Sequence, residues 1–179
     1  MQIPKWAWYT GGGFFALYVL SLNVTTTPGR VDAVRTTLTQ AQAKEVLLNA
    51  LRKALGREPT KAEFNMLLAQ SSFETANWKS MFNWNFGNSV IGSATGQWFT
   101  LKNDAAEPLA LRHHYRVFYS AQEGADYYVN LLKNRFTQAW ALLGSGSTAA
   151  FAQALKNKNY YEAPVSSYAA GLSARYGLA

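Results

Sequence analysis

The stretch QSSFETANWKSMFNWNFGNS, residues 70–89, decides how the rest of the chain is read. Its single carboxylate, Glu74, stands among Phe73, Trp78, Phe82, Trp84 and Phe86, and the next acid along the chain is Asp104. Just upstream, Phe64, Leu67, Leu68 and Ser71 recur at helical spacing and form an inward stripe. Gln70 and Glu74 continue that stripe, which puts Glu74 in the last turn of a helix, facing the interior or a cleft. Two effects then raise its pKa. Apolar neighbours disfavour the charged form, and the negative end of the helix dipole acts in the same direction. A glutamate kept protonated near neutral pH is what a general acid requires. The other reading is a surface carboxylate that caps the helix or pairs with Lys79, since ordinary ion pairs also shift carboxylates.

Working outward, capping boxes punctuate the chain. Thr39-Gln40-Ala41-Gln42 opens a helix that runs to about Leu55, with Gly56 as its stop. Thr60-Lys61-Ala62-Glu63 opens the helix that carries Glu74 and runs to about Ala76. Ser120-Ala121-Gln122-Glu123 starts a long helix with Tyr128, Leu131, Leu132, Phe136 and Trp140 on or near one stripe, ended by Gly144 and Gly146. That box accounts for Glu123 as a cap. Ser147 caps a short helix with Phe151 and Leu155, and Pro164 suits the first turn of a last helix with Tyr168, Leu172 and Tyr176 in register. Between them the pattern changes. Residues 97–101 and 109–119 have strand composition, which predicts a small antiparallel hairpin with a loop over residues 102–108. The fold class is therefore mainly α with a small β-hairpin.

The chain has 179 residues, enough for one globular domain with an appendage. Lysine and arginine outnumber the acids 17 to 10, a net charge of +7, which favours anionic partners such as cell-wall polymers, lipid headgroups or nucleic acid. No basic stripe with interleaved aromatics of the nucleic-acid-binding kind is visible, so no nucleic acid is expected. The absence of cysteine excludes disulfides, thiolate catalysis and zinc–sulfur sites. His113 and His114 are neighbours on an expected strand and point to opposite faces, so they do not hold one metal. No metal or other cofactor is expected.

Residues 6–24 read WAWYTGGGFFALYVLSLNV, and no charge falls between Lys5 and Arg30. The run has about the ~20 residues a membrane span needs. Trp6, Trp8 and Tyr9 stand where interfacial aromatics belong, and Gly11 to Gly13 are tolerated in membrane helices. The expectation is an uncleaved anchor over residues 1–24, with a signal peptide or a partner-bound segment as rivals. No small-x-small cleavage site is evident near SLNVTTT. Residues 25–37, with Pro28 and Gly29, read as a linker, and residues 38–179 as the globular domain.

Three segments carry a resemblance. Gln70, Ser71, Glu74, Thr75, Lys79 and Ser80, followed by Asn85, Phe86 and Gly87, match a Q-S-x-x-E-T-x-x-x-K-S and N-x-F-G pattern. Residues 115–120 read YRVFYS and are followed by Glu123; residues 151–155 read FAQAL and are followed by Tyr160, Tyr161 and Pro164 to Tyr168. In that order they resemble the bacterial glucosaminidase family of lysozyme-like peptidoglycan hydrolases. The likeness covers about residues 60–176. It implies a lysozyme-like helical domain in which Glu74 is the general acid that protonates a glycosidic oxygen. It implies that Asn85, Phe86 and Gly87 line the cleft, and a second acid in the hairpin region, where Asp104 and Glu107 are the candidates. Those two are otherwise ordinary solvated loop charges. Gln70 joins the substrate-binding candidates by its place one turn before Glu74. Tyr160, Tyr161 and Tyr168 are candidates for a sugar face or a bond to Glu74, although the register of Tyr168 also fits the core.

These readings converge on a membrane-anchored enzyme that cuts the β-1,4 bonds between N-acetylglucosamine and N-acetylmuramic acid. It would belong to a bacterial envelope or to a phage particle that penetrates the wall, with room for protein assembly partners. Lytic transglycosylase chemistry, in which one glutamate serves as acid then base, is the alternative on the same fold. A non-catalytic glycan-binding membrane tether is the alternative outside enzymes.

Overall fold

A computed structural model describes residues 29–91, 96–101 and 114–179. The apolar run 6–24 and the residues Asp104, Glu107 and His113 lie outside the described residues. Helices dominate: α1 (Gln40–Leu55), α2 (Lys61–Glu74), α3 (Ala121–Arg135), α4 (Thr137–Ala141), α5 (Thr148–Lys156) and α6 (Val165–Ser173), with a 3-10 turn at Leu143–Ser145. Short strands complete the fold: β1 (Arg35–Thr36), β2 (Met81–Phe82), β3 (Trp98–Phe99) and β4 (Tyr115–Arg116). The antiparallel hairpin expected from sequence forms between β3 and β4, with Trp98 opposite Arg116 and Phe99 opposite Tyr115. A second antiparallel pair joins β1 to β2, with Arg35 opposite Phe82. Among the described residues no helix is long and apolar enough to cross a membrane.

Two capping boxes close as the sequence implies. The Gln42 N–H donates to Thr39 Oγ1 at 3.2 Å while the Thr39 N–H donates to Gln42 Oε1 at 3.0 Å. At the head of α2 the same exchange links Thr60 and Glu63 at 3.2 and 2.7 Å. Each exchange satisfies N–H groups that have no partner inside the helix. At α3 the box is only half made. The Glu123 N–H reaches Ser120 Oγ, but the Glu123 carboxylate accepts from the Tyr119 N–H at 2.9 Å instead of the cap residue's own.

The structure corrects three details. First, α2 stops at Glu74 and not at Ala76, which leaves the carboxylate at the helix end. Second, α2 has no one-sided stripe: every residue from Asn65 to Ser72 is buried. The reason is its central place, with α1, α6 and the 3-10 turn all packed on it. Third, the long helix expected up to Gly144 breaks at Phe136, whose φ and ψ of −106° and 49° end α3 before α4 restarts. There the buried Phe136 ring meets the edge of Tyr160, with centroids 5.0 Å apart.

Close backbone contacts set the layout around Glu74. A Cβ on Gly124 would lie 1.9 Å from the carbonyl oxygen of Trp84, so α3 rests directly on the chain between β2 and the hairpin. A Cβ on Gly171 would lie 2.4 Å from the Phe73 ring, so α6 packs closely on the side chains at the end of α2. Residues 29–38, read as mostly linker, run alongside both strand pairs. The Val31 N–H donates to the Trp98 carbonyl at 2.8 Å, and the Asn83 N–H to that of Val34 at 2.9 Å. Asn83 Oδ1 in turn accepts from the Val34 N–H at 2.7 Å.

Candidate active site

The backbone after Glu74 makes an unusual turn. Ala76, Asn77 and Trp78 all take the left-handed conformation, with φ of 49°, 58° and 59°. Three consecutive residues of this kind are costly for side chains with a Cβ. Local bonds offset that cost. The Thr75 hydroxyl donates to the Ser71 carbonyl at 2.7 Å and accepts from the Trp78 N–H at 3.1 Å. The buried Trp78 indole donates to Ser71 Oγ at 3.0 Å. The turn thus locks under the helix, and the Glu74 side chain stands at a fixed corner.

Glu74 is partly buried and takes two partners. The Tyr168 hydroxyl donates to Oε1 at 2.5 Å, and Asn88 Nδ2 approaches Oε2 at 3.4 Å while donating to the Glu74 carbonyl at 3.0 Å. Burial raises the Glu74 pKa, and the bonds from Tyr168 and Asn88 pull it part of the way back. The result is a carboxyl held above its ordinary range. Tyr168, Tyr160 and Tyr128 are themselves pushed well above the usual tyrosine value, chiefly by burial and further by the nearby Glu74 charge. They act near Glu74 as neutral hydroxyls.

Tyr168 is held from both sides. Its ring stacks on Tyr161 with centroids 3.7 Å apart and planes 3° from parallel, and Phe73 meets it edge-on at 5.0 Å. Tyr161 is pinned in turn. Its hydroxyl donates to the Ala152 carbonyl at 3.0 Å. Lys156, at the end of α5, lies over the outer side of that ring at 5.2 Å and donates to the carbonyls of Tyr161, Glu162 and Ala163. Both faces of Tyr161 are therefore occupied. A run of contacts leads from Lys156 through Tyr161 and Tyr168 to the Glu74 carboxylate.

The remaining residues named from sequence fall behind this front. Gln70 is fully buried one turn before Glu74; its Oε1 accepts from the Tyr128 hydroxyl at 2.8 Å, and its Nε2 has no partner among the described residues. Asn85 is buried and clamps Ser89, accepting from its N–H at 2.8 Å and donating to its carbonyl at 2.9 Å. Phe86 is buried in the core. The Tyr160 hydroxyl donates to the Gly87 carbonyl at 3.0 Å and so holds the loop that carries Asn88. Asp104 and Glu107 lie outside the described residues, so no separation from Glu74 is measured. Among the described residues no group of three or more His, Asp or Glu could hold a metal ion.

Sequence reasoning passed over Asn88, Tyr128 and Lys156. Asn88 had a signal, since asparagine one place after glycine tolerates the left-handed conformation it adopts, at φ 47°. Lys156 had none, because its role comes from backbone carbonyls.

Neither of two clefts among the described residues is lined by Glu74 itself. The larger, about 610 Å³, lies between Thr39, Asn77, Lys79 and Arg175. The smaller, about 110 Å³, includes Asn88, Arg135 and Tyr160, and Asn88 links it to Glu74.

Among solved structures, the peptidoglycan hydrolase from Sphingomonas sp. A1 superposes with a TM-score of 0.56 over 78% of this chain and 88% of that one, at 24% identity. The two chains share a fold. A mutant form of that hydrolase gives a TM-score of 0.53 over 78% and 93%, at 22% identity. Identity this low establishes architecture and carries no residue role across. No protein-family model matches the sequence, and no curated protein does.

Proposed function

We propose that the chain is a peptidoglycan glycosidase in which Glu74 protonates the glycosidic oxygen. The observation that carries this reading is the Glu74 carboxyl at the end of α2, raised by burial and oriented by the Tyr168 hydroxyl at 2.5 Å. Breaking a glycosidic bond needs an acid whose proton survives at working pH. A partly buried carboxyl fixed by two partners meets that need, and its orientation is set before substrate arrives. The fold shared with a peptidoglycan hydrolase and the charge of +7 both favour the same substrate.

The bond is the β-1,4 link between N-acetylglucosamine and N-acetylmuramic acid. Glu74 gives its proton to the bridging oxygen as the C–O bond breaks, and positive charge develops on the ring carbon. Asp104 or Glu107 then serves as the second carboxylate for the incoming water. Tyr168 and Asn88 stabilise the Glu74 carboxylate left behind. Tyr160 and Tyr161 fix the walls beside it, while Gln70, Asn85 and Phe86 support those walls from within. Residues 6–24 anchor the domain in a membrane, of an envelope or of a phage particle, with the site facing the wall.

The test compares the full chain with Glu74→Gln on purified peptidoglycan. Products are reduced with borohydride and read by mass spectrometry. Release by the unaltered chain and none by the variant is expected. Reduced glucosamine or muramic ends identify the bond, and anhydro ends would replace hydrolysis by the transglycosylase reaction. Wall binding without any release would leave a tether and sink the enzyme.

A further inference from the structure

The smaller cleft has a chemistry that the Glu74 reaction does not use. It continues from Asn88 along Ser89, Leu131 and Arg135 to Asn159 and Tyr160. None of its lining residues is acidic. Arg135, the last residue of α3, is exposed and belongs to none of the ion pairs among the described residues, which join Arg52 to Glu58, Lys53 to Asp126 and Arg57 to Glu63. Its guanidinium lies 5.6 Å from the centre of the Phe136 ring, a cation–π contact that places it without neutralising its charge. Beside it, Ser89 is nine-tenths buried, yet its hydroxyl has no partner among the described residues. Asn85 clamps the Ser89 backbone on both its N–H and its carbonyl, so that hydroxyl is carried on a fixed strut. The Ser89 hydroxyl is itself sealed from solvent, so the recess offers one uncommitted guanidinium and no acid, which suits a carboxylate.

We infer that this cleft receives the peptide stem of the glycan strand, with Arg135 holding a stem carboxylate. The inference rests on the glycosidase reading of Glu74 and says which part of the substrate the neighbouring recess recognises. The stem hangs from the lactyl group of the muramic sugar, next to the bond that is cut. Asn88 belongs to both places: it touches Glu74 and lines the cleft. A sugar placed for protonation therefore carries its stem toward Arg135. The recess takes a chain with acidic groups and makes no use of a bare sugar.

The experiment uses the full chain and its Arg135→Gln and Arg135→Lys variants on two substrates: wall glycan with its stems, and the same glycan stripped by an amidase. Arg135 is exposed and its side chain makes no hydrogen bond among the described residues, so the fold survives the change, which a thermal melt checks. On stem-bearing glycan, Arg135→Gln should raise KM about tenfold with kcat little changed, which is the loss of one charge-assisted contact in binding. Arg135→Lys should recover part of that loss, since charge remains but the fork is gone. On stripped glycan all three proteins should behave alike. Added salt should shrink the difference on stem-bearing glycan. Equal losses on both substrates, or no loss on either, would overturn the stem assignment and leave the glycosidase intact. Failure of the unaltered chain to cut either substrate would remove both readings together.

Discussion

At the scale of single residues, the Glu74 and Tyr168 pair makes opposite demands. The tyrosine O–H favours the ionised carboxylate, while burial favours the proton. Tyr168→Phe removes the first influence and leaves the second, so the Glu74 pKa rises further. If the protonated form is the active one, the alkaline limb of the kcat/KM profile should move to higher pH. The maximum should fall about tenfold, because the acid loses one orienting bond. A profile that moves to lower pH would contradict the arrangement. Stability follows the same titration. The folded pKa lies above the ordinary 4.5, so between that pH and the folded value the native state holds more protons than the unfolded chain. Stability therefore falls as pH rises through this window. Glu74→Gln is free of that cost and should melt at a higher temperature than the unaltered chain at neutral pH. The advantage should vanish below about pH 4.5, where both states are protonated. Melts at several pH values decide it.

At the scale of elements, the site depends on how near α6 comes to the end of α2. Gly171 is the point of approach, and the Phe73 ring that meets it also packs edge-on against Tyr168 and lies 5.0 Å under Arg175. Gly171→Ala should cost ~1–3 kcal/mol in chemical denaturation, as overpacking does. It should also lower kcat by tilting Tyr168 away from Glu74. The local parts of this arrangement were open to sequence reasoning. The capping boxes at Thr39 and Thr60 speak through residues three apart, and the corner at Glu74 through one short motif. The break at Phe136 was hidden, since the ring it packs against, Tyr160, lies on another part of the chain. The burial of α2 on every side was hidden too, because its covering helices are far away in sequence.

At the scale of the whole molecule, the bond from Tyr168 to Glu74 joins residues separated by 94 positions; the sequence offered it as one role for Tyr168 beside a place in the core, and spacing alone did not choose between them. For the glycosidase proposed above, a net charge of +7 on a chain of 179 residues would make attachment to an acidic wall electrostatic in part. Sedimentation of the Glu74→Gln chain with purified peptidoglycan should therefore weaken as ionic strength rises. Binding that ignores salt would assign the affinity to sugar contacts alone.

The turn after Glu74 has a consequence for chemical synthesis. Asn77 sits in the left-handed region with a side chain suited to it, but Ala76 brings only the penalty of its methyl group at φ 49°. That position is one where the mirror-image amino acid fits the backbone better than the natural one. A chain assembled by ligation with D-alanine at 76 would keep the corner that presents the carboxyl and relieve on the order of 1 kcal/mol. L-Pro in the same place, confined to negative φ, would unmake it.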